Sequence, residues 1–331
     1  MNLLDPSSTG EAEKNPESCK AVEESAVIQP EAVRLTQERV EKRITRLISE
    51  RRIGFSDLPE TIYHYTSAAG LHGMLTTNSV WLTHARSLND SSEYLYGINL
   101  IAGVVARKTG NMANEFRSAI YEWASSQREA IHSRSPQMAS SSTVDAYFFC
   151  LCRSRDQLGQ WRAYTPDAGG YAIGFSTGDF KRLLDESQTS MEPVIYDAPT
   201  QERIIEIYIE EYYNSISTEG DPKLRSELFF TLQSGLTYEA YKFKHAGFSQ
   251  EDEIRIMYHK GSEDCRVRVS QNYIVPYIER AMPDNEKLPI REIIVGPTSD
   301  PSRSIHGLVQ LLKHHKYAQV GIYTSEIPLR N

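Results

Sequence analysis

The chain has 331 residues, 40% of them apolar, and a net charge of −8. That is enough apolar residue for one large domain or two small ones, and the acidic balance argues against a broad basic surface for nucleic acid, leaving room only for a local basic groove. The four cysteines (Cys19, Cys150, Cys152 and Cys265) have the spacing of neither a disulfide framework nor a zinc site, so reduced core cysteines and no metal are expected.

Residues 1–30 are rich in Glu, Ser, Pro and Asn and poor in aromatics, which predicts a disordered acidic tail. Neither a basic leader followed by an apolar segment nor a run of about 20 apolar residues is present, so a soluble, cytoplasmic protein without membrane contact is expected. Val33, Val40, Ile44, Leu47 and Ile48 recur at near-helical spacing and predict an amphipathic helix over 31–52, extending to 56 as a unit. Its apolar stripe serves either packing on the main domain or recruitment of a partner or a second copy.

The main body, 57–331, reads as a single α+β domain of catalytic type. Strands are predicted at Ile62–Thr66 and Val80–His84 around a short helix, Ala68–Asn78. Residues 90–132 are helical, within a helical insertion over 90–135, and Gln137–Thr143 is a polar loop. Ala146–Arg153 is an apolar strand with Cys150 and Cys152 on one side. Gly169–Ser176 is another strand, and Val194–Tyr196 a short one. Helices follow over 199–217 and 221–245, forming a second insertion (199–245). Glu253–Tyr258, Arg266–Val269 and Tyr273–Ile278 are strands. Glu292–Val295, the helix Ser302–His315 and the strand Ala318–Tyr323 complete the chain. Without a regular βα repeat, mixed and largely antiparallel sheets are expected rather than a doubly wound fold.

Phosphate-loop, dinucleotide-fingerprint, His-Glu-x-x-His and Gly-x-Ser-x-Gly motifs are all absent, which argues against the common phosphate-loop nucleoside triphosphatases, Rossmann dehydrogenases, zinc proteases and α/β-hydrolases. Four segments carry the chemistry that remains. The first is His64-Tyr65-Thr66 with Val80–Glu93, where Asp90 and Glu93 have capping-box spacing. The second is Gln160-Trp161-Arg162-Ala163-Tyr164: a tryptophan to stack on a planar base and an arginine for phosphate, or a buried tryptophan beside a surface arginine. The third is Phe248-x-x-Glu251-x-Glu253-Ile-Arg255. On one strand Glu251, Glu253 and Arg255 share a face, giving either a tuned carboxylate pair with a counter-ion or an exposed charge ladder. The fourth is the Gly296-Pro297-Thr298-Ser299 loop before Asp300-Pro301, an N-cap and N1 pair.

Together these segments resemble an uncharacterised bacterial family of unknown function. Its pattern of His-Tyr-Thr, Leu-Asn-Asp-x-x-Glu, Gln-Trp-Arg-x-Tyr, Gly-x-Ala-Ile-Gly-Phe, Phe-x-x-Glu-x-Glu-x-Arg, Gly-Pro and Ser-x-Ile-Pro-x-Arg stands here at His64–Thr66, Leu88–Glu93, Gln160–Tyr164, Gly170–Phe175, Phe248–Arg255, Gly296-Pro297 and Ser325–Arg330. More distantly, the opening strand, the helix with Gly70-Leu71-x-x-Met74-Leu75 and the Val80–Thr83 strand resemble the start of the ADP-ribosyltransferase-like superfamily.

That second resemblance implies an ADP-ribosyltransferase-like core and NAD as substrate. His64 would contact the NAD ribose and Thr83 the nicotinamide half. Glu253 would stabilise the oxocarbenium-like transition state, with Glu251 nearer the acceptor. Tyr65, Thr66, Trp161, Arg162, Tyr164 and Arg255 would complete the dinucleotide site, Arg162 or Arg255 holding the pyrophosphate. Trp81-Leu82-Thr83-His84 stands where the superfamily carries a Ser-Thr-Ser or aromatic signature.

The implied function is transfer of ADP-ribose to a nucleic acid or protein, as in a toxin or phage-defence effector. Hydrolysis of NAD or another nucleotide on the same site, and a non-catalytic nucleotide- or protein-binding sensor, are the alternatives. The transferase reading requires His64, Thr83 and Glu253 to meet in one cleft.

Overall fold

The computed structural model describes residues 30–50, 58–88, 92–132, 146–165, 169–183, 189–258, 265–270 and 273–328. Residues 1–29 of the predicted tail, the extension of the first helix past 50, the Gln137–Thr143 loop and Asn89-Asp90 lie outside them. The described chain is α+β. A ten-stranded, mostly antiparallel open sheet carries helices on both faces.

β1 (Thr61–Thr66), α1 (Ala68–Thr77) and β2 (Ser79–His84) form the opening unit. Ser67 caps α1 by accepting a hydrogen bond from the Gly70 amide, and Asn78 ends it in the left-handed region at φ 51°, a conformation that asparagine tolerates better than most residues. α2 (Ser92–Lys108), α3 (Asn114–His132) and β3 (Tyr147–Cys152) follow, then α4 (Leu158–Tyr164), β4 (Tyr171–Ser176) and β5 (Thr189–Pro193). Helices α5 (Ala198–Thr218) and α6 (Pro222–Ala240) each begin with an aspartate cap, Asp197 and Asp221, and a proline in the first turn. β6 (Glu253–Tyr258), β7 (Arg266–Ser270), β8 (Tyr273–Ala281), β9 (Ile290–Val295), α7 (Pro301–His314) and β10 (Gly321–Thr324) close the described chain.

Three elements differ from expectation. The short strand lies at Thr189–Pro193, and Val194–Tyr196 contributes only an isolated bridge from Ile195 to Phe243. α6 stops at Ala240, which frees Tyr241–His245 to run beside the sheet. The last strand begins at Gly321 rather than Ala318.

β3 is the branch point. One edge pairs along its whole length with β6. The other edge meets β1 only at Tyr63↔Cys152 and β2 only at Thr83↔Phe148 and His84↔Tyr147. β1 and β2 therefore splay apart from opposite ends of a single strand edge, and the middle of that edge opens into a gap.

One face of the sheet is buried by α2, α3, α5 and α6 around Phe148, Met257, Ile98, Ile205 and Leu232, the other by α1 and α7 around Ile62, Leu82, Phe175 and Ile293. The N-terminal helix (Pro30–Glu50) lays Val40 and Ile44 into the first core, and Arg43 pairs with Glu211 at 2.8 Å. Its apolar stripe is thus used within the chain. Ile44→Ala is expected to cost about 2–4 kcal/mol, measured as a lower urea midpoint at constant slope, whereas exposed Leu35→Ala should change little.

The Gly296-Pro297 loop serves packing. A Cβ at Gly296 would come within 2.8 Å of the Trp161 ring. Asp300 accepts from the Arg303 amide as the N-cap of α7, with Pro301 in the first turn. No described helix is long and apolar enough to cross a membrane.

Candidate functional site

A cavity of about 580 Å³ opens at the gap in the sheet, a size usual for small-molecule sites. His64, Thr83 and Glu253 all line it, with Thr66, Trp81, Glu93, Phe148, Gln160, Tyr164, Lys244, Glu251, Arg255 and Arg268. Side chains of directly paired residues share a sheet face. Thr83↔Phe148, Cys150↔Arg255 and Cys152↔Glu253 therefore place Thr83, Glu253 and Arg255 on one face. His64 lies one residue beyond the Tyr63↔Cys152 pair and starts from the opposite face. It reaches the same cavity because the strands part there.

One end of the cavity is a closed ion network. Arg255 donates from Nε to Glu253 Oε1 at 2.7 Å, from Nη2 to Glu253 Oε2 at 2.9 Å and from Nη1 to the Tyr241 carbonyl at 2.7 Å. Its Nη2 also meets Glu93. Lys244 Nζ lies 2.5 Å from Glu93, 2.5 Å from Glu251 and 3.4 Å from Glu253. Three carboxylates face two cations, so the cluster keeps one net negative charge.

Burial alone would raise the Glu253 pKa, but the Arg255 and Lys244 charges overcome it and hold the carboxyl at about 2. Glu251 moves the other way. Its burial and the charges of Glu253 and Glu93 raise it despite Lys244. Such divergence of two neighbouring carboxyls separates a fixed charge from a proton-exchanging group.

The strand-face expectation for Glu251 is corrected. A 3-10 turn spans Ala246–Glu251, and Asp252 sits in the left-handed region at φ 45° before β6 begins at Glu253. Arg153 holds Asp252 there by an ion pair of 2.5 Å. Glu251 thus approaches Lys244 from the turn, while only Glu253 and Arg255 project from one strand. Nor is that strand an exposed charge ladder: Glu253 and Arg255 are 5% and 3% exposed, and β6 pairs on both edges. Glu93, for which capping-box spacing predicts a helix-cap role, points instead to Arg255 and Lys244.

His64 stacks on Phe149 at 4.3 Å and donates from Nδ1 to the Cys150 carbonyl at 2.8 Å. Its Nε2 is then the unprotonated nitrogen. Burial, helped by the Arg268 charge and opposed by that carbonyl, lowers its pKa to about 4. Both depressed groups lose their contribution on acidification: His64 from its ordinary 6.5 down through about 4, and Glu253 from 4.5 down through about 2. Urea midpoints should therefore fall with pH across these windows, and His64→Asn should flatten the segment between pH 6.5 and 4. An unchanged slope in that variant would show that His64 titrates normally.

The second segment is largely structural. Trp161 is buried, packs edge-on against Tyr65 at 4.5 Å and donates from Nε1 to Asp156, so it is unavailable for stacking. Arg162 points to solvent and does not line the cavity. Tyr65 borders the cavity, but its hydroxyl donates to the Ser154 carbonyl and accepts from the Gln157 amide. Tyr164 does reach the mouth, as does the exposed Phe248. Gln160 is buried behind them and donates to the Glu251 carbonyl. Arg255 is a cavity residue but a poor anion clamp, since four of its five N–H donors are spent on the protein and two carboxylates already face its charge.

Arg268, on β7, is the cavity cation that sequence patterning misses. Its Nη2 donates to Thr83 Oγ1 at 3.0 Å, and among the described residues no carboxylate is within ion-pair range. The alternation Arg-Val-Arg-Val reads as a half-exposed strand, but Val267 and Val269 are the exposed pair and Arg268 faces the cavity. Arg266, two residues before it, is exposed as well, so the alternation itself carries no mark that singles out Arg268. Among the described residues, no group of three or more His, Cys, Asp and Glu side chains is placed to hold a metal ion.

No curated protein and no solved structure matches this chain. Residues 160–256 match the model of a family described as "Protein of unknown function (DUF2971)". That segment supplies Gln160, Tyr164, Lys244, Glu251, Glu253 and Arg255, so over most of the charged end of the cavity the chain is similar to this uncharacterised family.

Proposed function

We propose that the cavity binds an NAD-type dinucleotide and breaks its ribose–nicotinamide bond, passing ADP-ribose to a nucleic acid or protein. The observation that carries this is the meeting of His64, Thr83 and an ionised carboxylate cluster in one cavity at the split in the sheet. Loss of nicotinamide builds positive charge on the ribose, and the net negative cluster is a preorganised counter-charge for it. Glu251, with its side chain 33% exposed and one ion pair, is the carboxylate that touches the ligand. Glu253, 7% exposed and held by Arg255, keeps a fixed charge behind it. His64 offers Nε2 to a ribose hydroxyl, and Phe248 or Tyr164 gives an aromatic face for a base. The ADP-ribosyltransferase-like core and the toxin or defence role belong to this same proposal and rest on the resemblance of the opening unit; a cytoplasmic setting is proposed on the sequence pattern alone.

Incubation of the purified chain with NAD labelled in the adenylate half, with nucleic acid and protein acceptors, tests it. Label on a macromolecule supports transfer, free ADP-ribose supports hydrolysis, and intact NAD sinks both. A binding module without turnover is the second reading, favoured by one observation: Glu253, Arg255 and Lys244 satisfy one another as a structural network does.

A further inference from the structure

The two ends of the cavity are electrically different. At one end Lys244 and Arg255 are consumed by Glu93, Glu251 and Glu253. At the other, Arg268 spends a single bond on a neutral hydroxyl, Thr83. Its Nε is buried and finds no acceptor among the described residues, and neither does the buried Nε1 of Trp81. The two side chains are neighbours, the guanidinium carbon lying 5.8 Å from the centre of the Trp81 ring, and both line the cavity. A guanidinium Nε and an indole N–H that are buried without acceptors carry a free-energy cost that no described residue offsets. An anionic ligand with several acceptor oxygens would satisfy both once the two side chains, whose Nε and Nε1 are sealed from solvent as they stand, turn toward it. Arg268 and His64, the group assigned to the ribose, line the same cavity.

We propose that Arg268, Trp81 and Thr83 form a phosphate subsite, taking the pyrophosphate or phosphate of a nucleotide whose sugar faces His64 and the carboxylates. This deepens the dinucleotide reading and rests on it for the identity of the sugar. It also replaces Arg162 and Arg255 as anion holders, since one faces solvent and the other is internally paired. A guanidinium with free edge donors suits phosphoryl oxygens, and the indole adds a donor of fixed direction. The opposed charges orient the ligand: phosphates cannot settle at the carboxylate end, where one net negative charge remains.

Calorimetric titration of the full chain with ADP-ribose, and separately with inorganic pyrophosphate, tests the subsite. Arg268→Gln should weaken ADP-ribose binding about ten- to a hundredfold and reduce its salt dependence. Trp81→Phe, which keeps a ring but removes the donor, should weaken it severalfold. Arg268→Lys should fall between wild type and Arg268→Gln, because the charge stays and the Nε donor goes. Thermal unfolding shows which variants remain folded; if Arg268→Gln does not, the lysine and phenylalanine variants decide. Wild-type affinity in the folded variants overturns the subsite, as does a wild-type chain that binds neither compound. A chain that binds ADP-ribose through Arg268 yet leaves NAD intact keeps the subsite and removes the transferase.

Discussion

Glu251→Gln is expected to lower NAD turnover about 10²–10³-fold with little change in the unfolding midpoint. The two halves of that result come from the same geometry. Glu251 leaves its 3-10 turn to meet the cavity, where Lys244 is its ion-pair partner. Glutamine keeps the shape and a hydrogen-bonding oxygen for Lys244, but it removes the charge that would face the developing oxocarbenium ion. Because Glu253 and Glu93 remain for Lys244 and Arg255, no buried cation is stranded. A pH profile adds a second test. The Glu251 carboxyl is raised by burial and by its acidic neighbours, so in the wild type the acid limb of the rate should lie above the ordinary value of 4.5, and it should vanish from the residual rate of the variant. Turnover within a factor of two of wild type would remove Glu251 from the chemistry and shift the assignment to Glu253.

Much of the scaffold is legible in the sequence because its signals are local. The Asn78 stop, the Asp300-Pro301 start and the alternation of β6 each need only a few residues. The same holds for the polar residues of the opening unit: His64 and Thr83 reach the cavity because they sit on strands whose limits are plain. The charged end is different. Glu93 and Arg255 are 162 positions apart and meet only because α2 packs across the sheet from β6. In sequence, a carboxylate three residues after an aspartate looks the same whether it caps a helix or completes an ion network. Lys244 falls in the stretch where the helical pattern of α6 runs on past its actual end, so its turn toward the sheet has no local mark. Glu251 and Glu253 differ in environment because of one left-handed residue, Asp252, and a Glu-x-Glu spacing does not encode it. What the sequence does contain is a conflict: two charged residues inside Glu-Ile-Arg-Ile-Met-Tyr, a strand otherwise apolar enough to be central. Burying such a pair requires mutual pairing, and the balance requires further partners from elsewhere in the chain.

That requirement leads to the largest stability effect. Arg255→Met should cost about 3–5 kcal/mol, a large share of the roughly 5–15 kcal/mol that keeps a domain folded. The methionine fills similar volume, so the loss is electrostatic. Among the cations described, Glu253 and Glu93 are left with Lys244, and the bond from Arg255 to the Tyr241 carbonyl is lost. Glu253 should then escape the guanidinium that holds its pKa near 2 and titrate higher, so the variant should also lose its stability gain on going from pH 2 to 4.5. Adding Glu253→Leu removes the stranded charge, and the double variant should recover most of the midpoint, since an apolar pair can replace a buried ion pair at little cost. A single variant that loses less than about 1 kcal/mol, the range of solvent-exposed pairs, would mean that the network is hydrated and the cavity wider than described. The double variant also separates structure from chemistry. It restores folding without restoring the fixed charge behind Glu251, so under the transferase proposal it should be stable and slow. A stable double variant with undiminished turnover would confine Glu253 and Arg255 to holding β6 in the sheet, and leave Glu251, Glu93 and Lys244 as the ionic part of the site.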